Sequence, residues 1–416
     1  MTTSVTCCRI CGNTDLRTVV DLGVQYLTGV FPRNTDQNSI TKGPLELVKC
    51  FGGSDVCGLV QLRHSFPAAE MYGETYGYRS GLNSSMVKHL QLKVSKIEEL
   101  VDLDDESLVI DIGSNDGTTL AAYKRGPRLI GIDPAAKKYA SFYPDHVEYI
   151  PEFFSADLIN QHCQGKPASV ITSFAMMYDL ENPVAFAKEV ASILSPNGIW
   201  VFEQSYMPLM VERMAYDTIC HEHIEYYGIR QINWILKEAN LRIVDIELND
   251  VNGGSFSVTA TPTKSTIPTQ SEKINELVSR EEILGYNGIE FLHLFADQIV
   301  KSKDLLINEL HKIKDDGHSI CGLGASTKGN VLLQYGSLDS GLIDKIGDVN
   351  PDKWGCYTPG TWIPIVPEEE ILRSKADYLL VLPWHFKAEF VVREKEALEK
   401  GTGFIFPVPK IEIFKK

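Results

Sequence analysis

Leu108-Val-Ile-Asp-Ile-Gly-Ser-Asn-Asp-Gly117 reads as a short apolar strand running into an acidic turn that carries two glycines. Val109, Ile110 and Ile112 form the run expected of a parallel strand buried on both faces. Gly113 and Gly117 let the backbone turn sharply and approach a ligand closely. A second run, Arg128-Leu-Ile-Gly-Ile-Asp133, ends on an acid twenty positions after Gly113. A doubly wound fold places a carboxylate there on ribose hydroxyls. A nicotinamide dinucleotide site would need Gly-x-Gly-x-x-Gly, with a helix N-terminus facing the pyrophosphate. Here an acid stands where a pyrophosphate would sit. Such a turn repels that group and suits a ligand carrying an ammonium and a sulfonium. A plain structural turn is the remaining alternative.

These two strands resemble the S-adenosylmethionine (SAM) site of a class I methyltransferase. The resemblance implies that Asp111 and Gly113 lie near the methionine portion. Asn115 and Gly117 would complete the turn, and Asp133 would bind the ribose. Phe153 and Phe154, after the third strand, would flank the adenine, although adjacent phenylalanines are more often core. Ser173, at the end of the fourth strand, joins the expected cofactor-binding set.

The chain has 416 residues, enough for two or three domains with ample core. A net charge of −15 argues against binding to a nucleic-acid backbone. No apolar run reaches the roughly 18 residues of a membrane span, and the first residues lack a basic-then-apolar leader pattern. The expectation is a soluble cytoplasmic protein with no membrane or nucleic-acid partner, and a monomer from its self-contained three-part layout.

Residues 1–70 are rich in cysteine and turn formers. Of nine cysteines, Cys8 and Cys11 form a tight pair, and Cys50 and Cys57 form a second with six residues between them. In a cytoplasmic chain such thiols point to metal rather than disulfides. Two pairs of thiolates make a closed tetrahedral zinc site, which stabilises a lobe with little core. Cys7 is a substitute ligand, and four free thiols in a lobe that lost its metal are the alternative.

Residues 71–105 read as helix, with Met86, Leu90, Val94 and Ile97 at helical spacing. Strands at 109–112, 129–132, 170–173, 199–203, 243–248 and 255–260 predict a parallel sheet with helical crossovers. A Thr-, Pro- and Ser-rich stretch at 263–270 marks a boundary, a long helix follows over 271–315, and further strands are expected at 342–347 and 378–382. The fold class is therefore α/β. A zinc-binding lobe (1–70) precedes a Rossmann-like methyltransferase domain (71–262) and a second, smaller Rossmann-like α/β domain (263–416).

The densest polar cluster is Asp217-Thr-Ile-Cys-His221-Glu222-His223-Ile-Glu-Tyr226-Tyr227. Zinc on a helix needs histidines four apart, and these are two apart. In an extended or turn segment the two rings could share a face. Imidazole is the natural base near neutral pH, and a neighbouring carboxylate sets its tautomer. Acid–base work, a satisfied structural cluster and a metal site are the three readings. Gly322-Leu-Gly324-Ala-Ser-Thr-Lys328-Gly329-Asn330 opens a second strand–turn–helix. Backbone donors and a lysine there suit a diphosphate, although no Walker motif is present; a plain strand–helix turn is the alternative.

In combination, Cys-x-x-Cys-Gly, Met71-Tyr-Gly-Glu-Thr-Tyr-Gly-Tyr78-Arg-Ser, the SAM turn, His-Glu-His, Asn252-Gly-Gly-Ser255, the Gly322–Asn330 turn and Asp348-Val-Asn-Pro-Asp-Lys353-Trp-Gly resemble one family. It is the SAM-dependent C-methyltransferase family that acts on nucleotide-linked keto-deoxysugars, best known from tetronitrose biosynthesis. The resemblance spans essentially the full chain. It implies His223 as base, Glu222 as assisting carboxylate and a tyrosine, Tyr76 or Tyr78, near the sugar. It further implies a substrate set of His221, Tyr178, Asn252, Lys328, Asn330, Asn350 and Lys353, with structural zinc on Cys8, Cys11, Cys50 and Cys57. Three departures stand out: Cys220 replaces a tyrosine, the second cysteine pair is stretched, and Tyr178 stands where relatives carry histidine.

The implied reaction starts at a sugar carbon beside a ketone, as in a 4-keto sugar methylated at carbon 3. His223 removes the acidic hydrogen, Glu222 orients the imidazole, and Tyr76, Tyr78 or Asn252 donates to the enolate oxygen. O- or N-methylation of a sugar nucleotide and a non-catalytic SAM- or sugar-binding protein are the competing classes.

Overall fold

The computed structural model describes residues 2–36, 40–71 and 78–415. Tyr76 lies outside the described residues. The N-terminal lobe is built on β1 (Leu16–Tyr26), β2 (Lys42–Cys50) and β3 (Val60–Leu62), paired antiparallel in that order. A further strand, Glu225–Tyr226, arrives from far along the chain and pairs with β3, Glu225 opposite Gln61. Leu45, Leu47, Val60 and Leu62 of the lobe share one core with Met207, Met210 and Ile224. The lobe is thus completed by the segment that carries His-Glu-His.

Helix α1 (Ser84–Leu100) starts where the Asn83 side chain accepts from the Ser85 N–H, and it buries Leu90, Val94 and Ile97 at the expected spacing. Strands β4 (Leu108–Ile112), β5 (Arg128–Ile132), β6 (Val147–Ile150), β7 (Ala168–Phe174), β8 (Leu194–Ser205), β9 (Leu241–Asn249) and β10 (Ser255–Pro262) follow. Among the described residues they form one seven-stranded sheet in the order β9-β10-β8-β7-β4-β5-β6. Every residue of β4 is buried, as its apolar run requires.

The sheet differs from the all-parallel expectation at one strand. β10 runs antiparallel to both neighbours, with Trp200 opposite Ala260 and Leu248 opposite Phe256. Only residues 250–254 join β9 to β10, whereas a parallel crossover needs about a dozen residues. The crossovers after β4 and β5 are also not α-helices. Each holds a 3-10 turn, Leu120–Ala122 and Ala140–Phe142, in stretches punctuated by Gly126, Pro127, Pro134 and Pro144.

The stretch expected as one long helix is two, α2 (Ser271–Ile283) and α3 (Glu290–Asp315). Gly285, at φ +68°, breaks it. Ile274, Leu277 and Val278 of α2 pack on the core of the central sheet. Beyond α3 lie β11 (Ile320–Leu323), β12 (Ile346–Asp348), β13 (Ile365–Pro367), β14 (Tyr378–Val381), β15 (Gly403–Phe406) and β16 (Glu412–Phe414). Their order is β13-β12-β11-β14-β15-β16, parallel except for β16. The expected strand at 342–347 begins only at Ile346, because Leu342 and Ile343 belong to the turn that packs under it. Helix α4 (Thr327–Tyr335) follows β11. Among the described residues no helix is long and apolar enough to cross a membrane.

Gly117 sits at φ +76°, and a Cβ there would lie 2.8 Å from Tyr143 Cδ1. Gly117→Ala should therefore cost about 2–4 kcal/mol, from left-handed strain plus overpacking. The shift of the urea midpoint measures it, and an unchanged midpoint would contradict this account of the turn.

Candidate active site

A cavity opens at the carboxyl ends of β4, β5 and β7, where a doubly wound sheet gathers its ligand. Asp111, Gly113, Asn115, Asp133, Phe153 and Phe154 all line it. The N–H of Gly113 donates to the Ile132 carbonyl at 2.9 Å, so the turn ties the two strand ends together. Asp133 accepts from the N–H of Asn115 at 2.9 Å and of Ala135 at 2.6 Å. Each oxygen keeps acceptor capacity for a hydroxyl. Asp111 accepts from the Thr172 hydroxyl at 2.6 Å, and burial pushes its carboxyl up to about 7. A cationic ligand would reverse that shift. Asn115 holds the Ser80 N–H at 3.0 Å and the Tyr78 carbonyl at 3.2 Å, drawing this segment over the cavity. Phe154 packs on Phe186 at 5.2 Å, while Phe153 is 61% exposed at the rim.

This donor set fits SAM. The carboxylates of Asp111 and Asp133 line the cavity, and the Phe153 and Phe154 rings stand at its rim. Among the described residues no lysine or arginine lines the cavity, which speaks against a phosphate ligand.

A second cavity adjoins the first. Tyr78, Met86, Ala175, Asp179 and Asn252 line both. Its other walls bring in Gly29 and Phe31 from the N-terminal lobe, and Lys328, Lys353 and His385 from the C-terminal sheet. His223 and Tyr178 face it as well. His223 Nδ1 lies 3.1 Å from the Thr218 carbonyl, an acceptor only, so Nδ1 carries the proton and Nε2 the lone pair. Tyr178 packs on the imidazole with ring centroids 4.0 Å apart. Burial and the Lys328 charge lower the pKa of His223 to about 3. Lys328 Nζ donates to the carbonyl of Asn252 at 2.7 Å, and Asn252 itself has φ +55°. Lys353 Nζ donates to the Ala325 carbonyl at 2.6 Å and lies 4.7 Å over the Phe31 ring.

Glu222 also faces this cavity, and burial raises its carboxyl to about 7. Its carboxylate occupies the space that a side chain at residue 29 would need, which explains Gly29. The His223 ring is oriented at Nδ1 by the Thr218 carbonyl rather than by the Glu222 carboxylate expected there.

Several expected site residues serve the framework. His221 points away from His223 into the N-terminal lobe, with Nδ1 3.4 Å from Thr28 Oγ1 and Nε2 3.2 Å from the Gly43 carbonyl. Residues two apart would share a face of an extended strand; here the segment turns, with the His223 N–H bonded to the Cys220 carbonyl at 3.1 Å, and the two rings part company. Ser173 is fully buried and accepts from the Trp200 indole at 3.0 Å. Gly117 makes room for Tyr143 and does not line the cofactor cavity. Asn330 is buried and donates to the Thr28 carbonyl at 2.7 Å, binding α4 to the N-terminal lobe. Asn350 accepts from the Asp352 N–H at 3.1 Å within its own turn. None of these five lines either cavity. His385, Phe31 and Asp179 escaped sequence reasoning; each is a single polar or aromatic residue in irregular backbone, with no spacing to mark it.

The four cysteines meet as expected. Sγ of Cys8 and Cys57 are 3.3 Å apart, those of Cys11 and Cys50 3.6 Å, and all four lie within 4.8 Å of one another. Zinc–sulfur bonds of about 2.3 Å imply tetrahedral edges of about 3.8 Å, so the cluster fits zinc. The wide second pair closes because Cys50 ends β2 and its N–H bonds to the Leu59 carbonyl at 2.8 Å, folding the intervening loop back. Cys7 is not part of the cluster.

Comparison with known proteins agrees with this geometry. Family models match as a zinc binding domain over residues 8–72, a methyltransferase domain over 86–246 and a C-methyltransferase C-terminal domain over 250–409. C-methyltransferase NovU of Streptomyces niveus is 30% identical over 409 residues, covering 97% of this chain and 95% of that protein. The chain belongs to the C-methyltransferase family. It is a SAM-dependent methyltransferase with an N-terminal zinc-binding domain. Among solved structures, magnesium protoporphyrin IX methyltransferase ChlM of Synechocystis PCC 6803 is 14% identical, covering 43% of this chain and 78% of that one, with a TM-score of 0.32. N-methyltransferase NodS of Bradyrhizobium japonicum WM9 is 12% identical over 43% of this chain and 98% of that one, also with a TM-score of 0.32.

Elemental analysis of this C-methyltransferase should find one zinc per chain. Cys11→Ser should abolish the zinc and lower the thermal midpoint, since binding and folding of such lobes are coupled. Full zinc content in the variant would contradict the four-thiolate site.

Proposed function

We propose that this C-methyltransferase adds a methyl group to the carbon beside the ketone of a nucleotide-linked deoxysugar, carbon 3 of a 4-keto sugar. The observation that carries this reading is the shared wall between the two cavities. It lets an acidic, SAM-suited site open directly on a site lined by a neutral imidazole and two lysines.

SAM, when bound, supplies an electrophilic methyl group. Asp133 holds its ribose, and Asp111, Gly113 and Asn115 shape the turn around the methionine portion. Phe153 and Phe154 flank the adenine. Lys328 and Lys353 attract the diphosphate of the acceptor, while Phe31 lies beside it. His223 takes the proton from the acidic carbon with its Nε2 lone pair, oriented by the Thr218 carbonyl and the Tyr178 ring. Glu222, with its carboxyl near neutrality, can exchange a proton with the same cavity. Tyr78 and Asn252, at the junction, position the acceptor carbon. Most of the remaining rate comes from holding the two reactants in line.

The deciding experiment incubates the protein with SAM and a panel of nucleotide-linked 4-keto-6-deoxysugars, read by mass spectrometry and NMR. A methyl on a sugar carbon is expected; a methyl on oxygen or nitrogen would reject the enolate chemistry. His223→Asn should lower kcat by about 10²–10⁴-fold with unchanged affinity for S-adenosylhomocysteine. Because the His223 pKa is depressed to about 3, its base form persists at all higher pH. The acid limb of kcat/KM attributable to it should fall below pH 5, and a limb near the ordinary imidazole value would contradict its burial beside Lys328. Asp133→Ala should weaken S-adenosylhomocysteine binding by about 1–3 kcal/mol by calorimetry.

A further inference from the structure

The turn Trp384–Phe386 follows the carboxyl end of β14, at the crevice where parallel strands present ligand-binding side chains. Trp384 Nε1 donates to Asp217 Oδ2 at 2.8 Å, which pins this turn to the segment carrying His223. The next residue, His385, lines the second cavity together with His223 and Lys328.

Buried imidazoles that only pack normally use their ring nitrogens inside the protein. His221 does so through Thr28 and Gly43. His385 does not. Its ring is fixed edge-on by Trp384, with centroids 5.7 Å apart, and tilted against Phe386 at 4.3 Å. Its buried Nδ1 has no hydrogen-bond partner among the described residues. A rigid polar ring with an unused nitrogen, at the wall of a substrate cavity, is what an acceptor-facing group looks like. Burial and the Lys328 charge lower its pKa to about 3, so the ring is neutral and bears one N–H.

We propose that His385 is a second catalytic imidazole, whose ring N–H hydrogen-bonds to the carbonyl oxygen of the acceptor while His223 deprotonates the neighbouring carbon. The inference rests on the ketone reading above. In the step it assists, the carbon–hydrogen bond breaks and its proton goes to His223 Nε2. The electron pair forms the carbon–carbon double bond, and the carbonyl π pair moves onto oxygen. That oxygen becomes negative beside the His385 N–H. His385 keeps its proton throughout and acts by stabilising charge. This also accounts for a base as weak as His223: proton removal from carbon becomes feasible when the resulting enolate is held by fixed donors.

The test compares the unaltered protein with His385→Ala and His385→Gln on the panel of nucleotide-linked 4-keto-6-deoxysugars. Exchange of the carbon-bound hydrogen in deuterium oxide is read by NMR without SAM, and methylation is read with SAM. His385→Ala should lower kcat and the exchange rate by about 10²–10³-fold, as loss of an oxyanion donor does. KM, S-adenosylhomocysteine affinity and the thermal midpoint should stay near those of the unaltered protein. His385→Gln, which keeps an amide N–H, should recover a clear share of the loss. Undiminished exchange and kcat in His385→Ala would overturn the inference while leaving the ketone reading intact. Equal losses in both variants with a raised KM would overturn it in favour of packing. If the unaltered protein neither exchanges nor methylates any ketone of the panel, the ketone reading fails and this inference falls with it.

Discussion

One buried carboxylate, Asp217, holds the parts of the chain against one another. The Trp384 indole, from the C-terminal sheet, donates to it at 2.8 Å. Burial raises its pKa, and the nearby Lys328 charge opposes that rise. A charge removed from water is costly unless it is paired and hydrogen-bonded, so the segment around Asp217 is committed to this meeting point. From there the chain runs through His221 and His223 and then pairs with β3 as Glu225–Tyr226. In ten residues it touches the C-terminal domain, lines the second cavity and closes the zinc lobe.

The geometry of the second cavity follows from that crossing. His221 is consumed by the N-terminal lobe, and the turn at residues 220–223 leaves His223 facing the second cavity. Lys328 reaches across to the Asn252 carbonyl, at the junction of the two cavities. The cofactor site belongs to the central domain, the carboxyl ends of its strands closed over by the Tyr78–Ser80 segment and α1. The second cavity does not: segments flanking three separate sheets form its walls, and the imidazoles within it are kept neutral by burial and by one lysine.

Much of the fold was legible because its signals are local. The buried run Val109–Ile112 with its glycine turn, the acid after the next strand and the two cysteine pairs each announce their structure within a few residues. The exceptions are equally physical. β10 is antiparallel because five residues cannot carry a parallel crossover. The long helix breaks because Gly285 takes a conformation that ends helices. Ser173, Asn330 and Asn350 have the polar character of ligand-binding residues, yet each bonds within the framework, to Trp200, Thr28 and Asp352, and no motif records such a partner. Nor does sequence mark His385, one histidine in a short turn, as a neighbour of His223.

By itself, then, the sequence determined the α/β class, the SAM-suited turn, the zinc thiols and a polar segment dense in histidine and carboxylate. These depend on periodicity, glycine placement and residue chemistry, which are properties of short stretches. Only the tertiary structure decided which histidine faces the second cavity, what fixes its tautomer, and which distant side chains join it. Those outcomes depend on the direction of side chains in irregular backbone. That direction is set by contacts such as Trp384 with Asp217, between residues that the chain order keeps far apart.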